Sequence, residues 1–165
     1  MTDSTNKLSV MVNNINKLPA PLRTQGLTFA VGTAVKFAGT AKVEILEMTP
    51  TCLRARIRNR KRVQNHIGSV HAAAMALLAE SATGLVVGMS VPDNRVPVIK
   101  SMKVDYVRRA KGDLEAVATL TQDDVARILS TEKGDITVPV KVTDSEGREP
   151  IQCEMIWAWA PKRAK

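Results

Sequence analysis

The chain has 165 residues, enough for one domain with a full hydrophobic core, and its 44% apolar and 24% charged residues are ordinary globular composition. No stretch approaches the ~20 apolar residues that span a bilayer, and the start MTDSTNK lacks a basic segment followed by an apolar run, so neither a membrane helix nor a secretory leader is expected. The net charge of +8 points to an anionic partner, yet aromatics are only 3% and no zinc-finger or RNA-recognition signature appears, so nucleic acid is disfavoured.

In chain order, Leu8, Met11, Val12, Ile15 and Leu18 recur at helical spacing and predict an amphipathic helix over 7–18, ended by Pro19 and Pro21. A second helix is expected over Thr24 to Phe37, closed by Gly39. Ala41, Val43 and Ile45, then Leu53, Ala55 and Ile57, alternate with charged residues about the turn Thr49-Pro50, which reads as a hairpin with one buried face. The outward row Arg54, Arg56 and Arg58 reads as a solvated strand face. A polar stretch, Asn59 to Ser69, leads into a helix from about Val70 to Val87 that is apolar nearly all round and should be enclosed.

Alternation returns from Val96 to Arg108, from Leu114 to Leu120, from Ile136 to Val142, and from Ile151 to Ala160. A short helix is expected over Asp123 to Ser130, capped by Thr121 or Asp123, and Asp144-Ser145-Glu146-Gly147 is a turn. Pro139 marks an edge or a bulge. Helices, two strands, one long helix and four strands suit an α+β chain in which an antiparallel sheet wraps the central helix. Residues 1–38 are expected to form an N-terminal helical extension and 39–165 the sheet-and-helix domain.

Candidate chemistry centres on the long helix. Glu80 interrupts an apolar run, and an unpaired buried carboxylate is costly, so such a residue is paired, protonated or working. Asn65 and His71 precede it in the polar stretch. The helix start offers free N–H groups and a favourable dipole for a developing negative charge, which singles out the Ala72 N–H. Nine residues of α-helix are about 900° of rotation and ~13–14 Å of rise, so Glu80 faces away from position 71 and a second copy is expected to complete the site. Two cysteines, Cys52 and Cys153, lie far apart in apolar surroundings and read as free buried thiols in a reducing cytoplasm. Two His and two Cys, none clustered, give no metal-ligand spacing.

The spacing Asn65, Gly68, His71 and Glu80, together with Tyr106 followed by Ala110, Gly112, Asp113 and Leu114, resembles the hotdog-fold acyl-CoA thioesterases, the superfamily of the phenylacetate-pathway and 4-hydroxybenzoyl-CoA thioesterases. The resemblance covers roughly residues 40–160. It implies a hotdog fold assembled as a homodimer or a dimer of dimers (a homotetramer), and hydrolysis of an acyl-CoA thioester to free acid and coenzyme A. Glu80 would be base or nucleophile, assisted by Asn65 and His71, with the Ala72 N–H as oxyanion donor. No cofactor is implied, because the coenzyme A thioester is itself the substrate. The chain departs from relatives in having His71-Ala72-Ala73 where many carry His-Gly-Gly, and Ile99 where some carry an assisting Ser or Thr. Arg60, Arg62, Arg108 and Arg109, with Lys61 and Lys111, are candidates for coenzyme A phosphates, since a guanidinium matches phosphate oxygens with paired donors. A non-catalytic acyl-CoA-binding hotdog protein is the alternative. A hotdog dehydratase or hydratase is a further one, although its His-Phe-Pro-Gly signature is absent at His71.

Overall fold

The structure is a computed structural model that describes residues 6–163. Three helices open it: α1 (Lys7–Ile15), α2 (Ala20–Ala34) and α3 (Lys36–Ala41). Asn6 caps α1, its side chain accepting from the Ser9 N–H at 2.7 Å. The expected second helix is instead two. Pro19 and Pro21 do not simply stop α1; they start α2, because proline fits the first helical turn, where its missing N–H has no partner to lose. Gly39 lies inside α3, and the left-handed Lys42 (φ 53°) ends that helix. The boundary expected between residues 38 and 39 therefore falls within α3.

The strands β1 (Glu44–Met48) and β2 (Cys52–Ile57) form the hairpin, with Leu53, Ala55 and Ile57 fully buried. The long helix α4 (Ala72–Gly88) follows, and then β3 (Arg95–Tyr106), β4 (Leu114–Thr119), α5 (Gln122–Ser130), β5 (Gly134–Val138), β6 (Val140–Asp144) and β7 (Ile151–Pro161). Thr121 caps α5 in a reciprocal box with Asp124, as its sequence signals.

Five strands follow α4 where four are expected, because the segment 134–144 is broken at Pro139. Its first half, β5, pairs with β7, and its second half, β6, pairs with β4. Proline has no N–H for either ladder, while its carbonyl accepts from the Thr119 N–H at 3.2 Å. The sheet is thus hinged into two antiparallel parts, β1-β2-β4-β6 and β3-β7-β5, that curve around α4. This is the hotdog arrangement.

Close packing holds α4 in the curve. Trp157 is buried and its indole N–H donates to Thr83 Oγ1 at 2.9 Å. Gly84 lies flat against that indole, where a Cβ would overlap Cζ2 and Cη2. Trp159 is buried likewise and donates to the Thr131 carbonyl at 2.8 Å. Both tryptophans are therefore packing residues. Cys52 and Cys153 are free but only half-buried, a correction to the expected full burial. Burial still pushes the Cys153 thiol up to about 11.

Candidate active site

The loop before α4 is built around Asn65. Its side-chain oxygen accepts from the N–H groups of Ile67 and Ser69, both at 3.1 Å, and Gly68 takes the left-handed conformation (φ 75°) that lets the turn close. Arg109 clamps this loop from β3's far end, donating from Nε to Ser69 Oγ at 3.0 Å and from Nη2 to the Ile67 carbonyl at 2.7 Å. The His71 N–H donates to the Val63 carbonyl at 2.7 Å, fixing where the helix begins.

His71 caps α4. Its Nδ1 accepts from the Ala73 N–H at 3.0 Å, so the neutral imidazole carries its proton on Nε2, on an exposed side chain. Its carbonyl accepts from Ala74 and Met75. The Ala72 N–H makes no hydrogen bond among the described residues, and Ala72 is exposed, so this donor faces solvent at the positive end of a 17-residue helix. Tyr106 lies against the same turn, its hydroxyl donating to the Ala72 carbonyl at 2.9 Å. Burial, helped by the nearby Cys153, pushes the Tyr106 phenol up, so it stays a donor. Tyr106 enters the sequence reading only as part of the resemblance; its contact with the helix start is what the fold adds.

The helix is not enclosed all round, contrary to the reading of its composition. One stripe, Ala73, Ala76, Leu77 and Glu80, opens on an apolar groove of about 500 Å³ walled by Val35, Phe37, Ile99 and Met102. Glu80 sits half-buried in it. No cation pairs with Glu80 among the described residues, and its one polar neighbour is Ser81 Oγ at 3.5 Å, at the limit of a hydrogen bond. Burial pushes the Glu80 carboxyl above its ordinary range, the Ser81 hydroxyl offsetting only part of that. Ile99, at the position where some relatives carry a hydroxyl, gives this wall only apolar surface.

A second cavity of about 260 Å³ adjoins the first. Phe37, Ala73 and Leu77 line both, and His71, Gln64 and Arg62 line its far end. The two cavities, taken together as an apolar channel, line α4 from its start to Glu80 within a single chain. Eight residues separate Ala72 from Glu80, a rise of ~12 Å, so the free N–H and the carboxylate lie at opposite ends of that channel.

The phosphate candidates have different surroundings. Arg60 donates to the Lys42 carbonyl at 3.1 Å and Arg62 to the Thr40 carbonyl at 3.3 Å, both at the C-terminal end of α3, where cations meet free carbonyls. Arg109 is occupied by the Asn65 loop, and Arg108 is exposed at the end of β3. Arg54, Arg56 and Arg58 pair with Glu115 and Glu44 on the outer sheet face.

Comparison with solved structures places this arrangement among known folds. A structural-genomics target protein is 24% identical with a TM-score of 0.73, covering 94% of this chain and 99% of that one. A protein of unknown function from Pseudomonas aeruginosa, described as a probable thioesterase, is 23% identical with a TM-score of 0.73 over 88% of this chain and 97% of that one. A thioesterase from Haemophilus influenzae is 13% identical with a TM-score of 0.67 over 84% of this chain and 90% of that one. At these identities what is shared is the fold. No curated protein matches the chain. Among the described residues no helix is long and apolar enough to cross a membrane. A family model described as a domain of unknown function, DUF4442, matches residues 23–159, most of α2 through β7, and the chain belongs to that family.

Proposed function

We propose that this protein hydrolyses an acyl-CoA thioester to a free acid and coenzyme A, working as a homodimer with shared sites. The observation that carries the reading is Glu80: a half-buried carboxylate without a cation, at the floor of an apolar groove, with its pKa raised by burial. A base poised upward in pKa is better matched to proton abstraction from water near neutral pH. In the proposed step Glu80 takes a proton from water as the water oxygen attacks the thioester carbon. The carbonyl oxygen becomes an oxyanion, which the Ala72 N–H stabilises. The C–S bond then breaks and the thiolate of coenzyme A leaves. His71 Nε2–H is free to donate to the carbonyl oxygen, and Asn65 acts chiefly by holding the loop that sets the helix start. The acyl chain would lie in the channel beside Phe37, Leu77 and Met102, one wall of which the N-terminal helices supply.

Two features support a second copy. β3 is an edge strand in which Val96, Val98, Ile99, Met102 and Tyr106 are exposed, and an apolar unpaired edge invites another strand. The ~12 Å between Ala72 and Glu80 in one chain is too long for one thioester carbonyl to bridge, whereas a two-fold operator joins the helix start of one copy to Glu80 of the other. We assign the protein to the cytoplasm on the same reading, in keeping with two unpaired thiols.

The test is release of free coenzyme A, followed with a thiol reagent across acyl-CoA chain lengths. Turnover lost in Glu80→Ala is expected; no release from any acyl-CoA by folded protein would reject the reading. The methyl groups of Ala72 and Ala73 narrow the helix start relative to Gly-Gly and favour a binding-only protein as second reading. Retained acyl-CoA affinity without turnover in the parent chain would select it.

A further inference from the structure

The N-terminal helices border a further cavity, open to solvent and of about 640 Å³, between α2, α3 and the start of β1. Three cations line it, Lys36, Lys42 and Arg60, and none of them is in an ion pair among the described residues. Arg60 donates one Nη2 hydrogen to the Lys42 carbonyl and keeps its remaining Nη hydrogens, while its buried Nε lacks a hydrogen-bond partner. The single acidic wall residue, Glu44, is committed elsewhere: Arg56 and Arg58 hold it at 2.6 and 2.7 Å. Burial alone would push the Glu44 carboxyl up, and those two guanidiniums outweigh it and hold the group below its ordinary value. Concave surface lined by charge of one sign concentrates the opposite charge.

The rim adds a second kind of chemistry. Phe29 lines the cavity and is 77% exposed, a flat apolar face on which a heterocyclic base can stack. The floor is tight because Gly32 and Gly39 meet without room for a Cβ at Gly39, which draws α2 and α3 together. Thr40 lines both this cavity and the His71 end of the apolar channel, so the two are neighbours across α3.

We propose that this cavity seats the phosphorylated nucleotide end of the coenzyme A thioester. Lys36, Lys42 and Arg60 would contact phosphate oxygens, Phe29 would stack on the base, and the pantetheine arm would pass Thr40 toward His71. The inference rests on the acyl-CoA reading of the channel and gives the helical extension a part in substrate recognition.

The experiment separates the two. The whole chain is titrated calorimetrically with adenosine 3′,5′-bisphosphate, which has neither thioester nor pantetheine. The parent is compared with a Lys36→Glu, Lys42→Asn variant; asparagine tolerates the left-handed backbone at position 42. Kinetics are then measured on an acyl-CoA and on the matching acyl-pantetheine. The parent is expected to bind the bisphosphate and the variant to bind it at least about tenfold more weakly, as loss of charge-assisted phosphate contacts implies. KM for the acyl-CoA should rise about tenfold with kcat unchanged, and acyl-pantetheine turnover should not move. Equal bisphosphate affinity in the two proteins, or an unchanged KM, overturns the cavity's assignment while leaving hydrolysis intact. Lysine-dependent bisphosphate binding with no hydrolysis of either thioester overturns the hydrolytic reading and leaves the nucleotide cavity standing.

Discussion

Replacing Glu80 with glutamine separates charge from shape at the centre of the groove. The two side chains are near-isosteric, so Val35, Phe37, Ile99 and Met102 need not repack. Activity should fall by roughly 10²–10⁴, the usual worth of a positioned general base. Stability should move the other way. A carboxyl whose pKa is raised on folding binds more protons folded than unfolded, so the native state is progressively destabilised as pH climbs through the window above 4.5. Removing the charge recovers that loss. The groove is partly open and solvent screens it, so a gain on the order of 1 kcal/mol is expected at neutral pH, or ~2–4 °C in Tm for a chain of this length. The gain should vanish below pH 4.5, where the parent's carboxyl is protonated in both states. Thermal melts of both proteins from acid to neutral pH, beside coenzyme A release, measure both effects. A Glu80→Gln protein that keeps its turnover, or that melts lower than the parent at neutral pH, would refute the argument that this carboxylate is held ionised against its surroundings for catalysis.

Ala72→Pro should remove the oxyanion donor with little cost to the fold, because His71 already has the extended backbone (φ −64°, ψ 144°) that precedes proline and proline suits the first helical position; kcat should fall ~10²–10³ at nearly unchanged Tm. Mixed with Glu80→Ala chains, it should regain activity in hybrid dimers, and no recovery would remove the shared-site geometry. Gly84→Ala gains ~1 kcal/mol of helix propensity but meets the Trp157 indole, so a net loss of about 1–2 kcal/mol is expected by denaturant titration. Arg95 is buried and donates to the carbonyls of Ile128, Leu129 and Thr131 at the end of α5; Arg95→Met should strip that donor from the Ile128 and Leu129 carbonyls, with Thr131 keeping only the Trp159 indole, and cost about 2–4 kcal/mol, with chemical unfolding as the check.

Much of the fold was legible because its signals are local. Alternation at Leu53, Ala55 and Ile57, the box at Thr121 and Asp124, and the Asp144–Gly147 turn each encode their structure within a few residues. The prolines show where local signals run out. Pro19 and Pro21 suit the end of one helix and the beginning of the next equally well, and in the fold they stand at the N-cap and in the first turn of α2. Pro139 announced an irregularity, but which ladder each half of its segment would join depended on β4 and β7, distant in sequence.

The candidate site divides the same way. Sequence alone determined that a lone carboxylate stands in an apolar helix behind a polar, turn-forming loop, since residue type and spacing are sequence properties. Only the tertiary structure decided that α3 and β3 leave that carboxylate half-covered in a groove, and that Arg109 serves the Asn65 loop while Arg60 and Arg62 bind backbone carbonyls. Burial, the raised pKa and the commitment of each guanidinium depend on groups brought within a few ångströms from positions 35 to 102. Such proximity is a property of the packed chain and not of any segment of it.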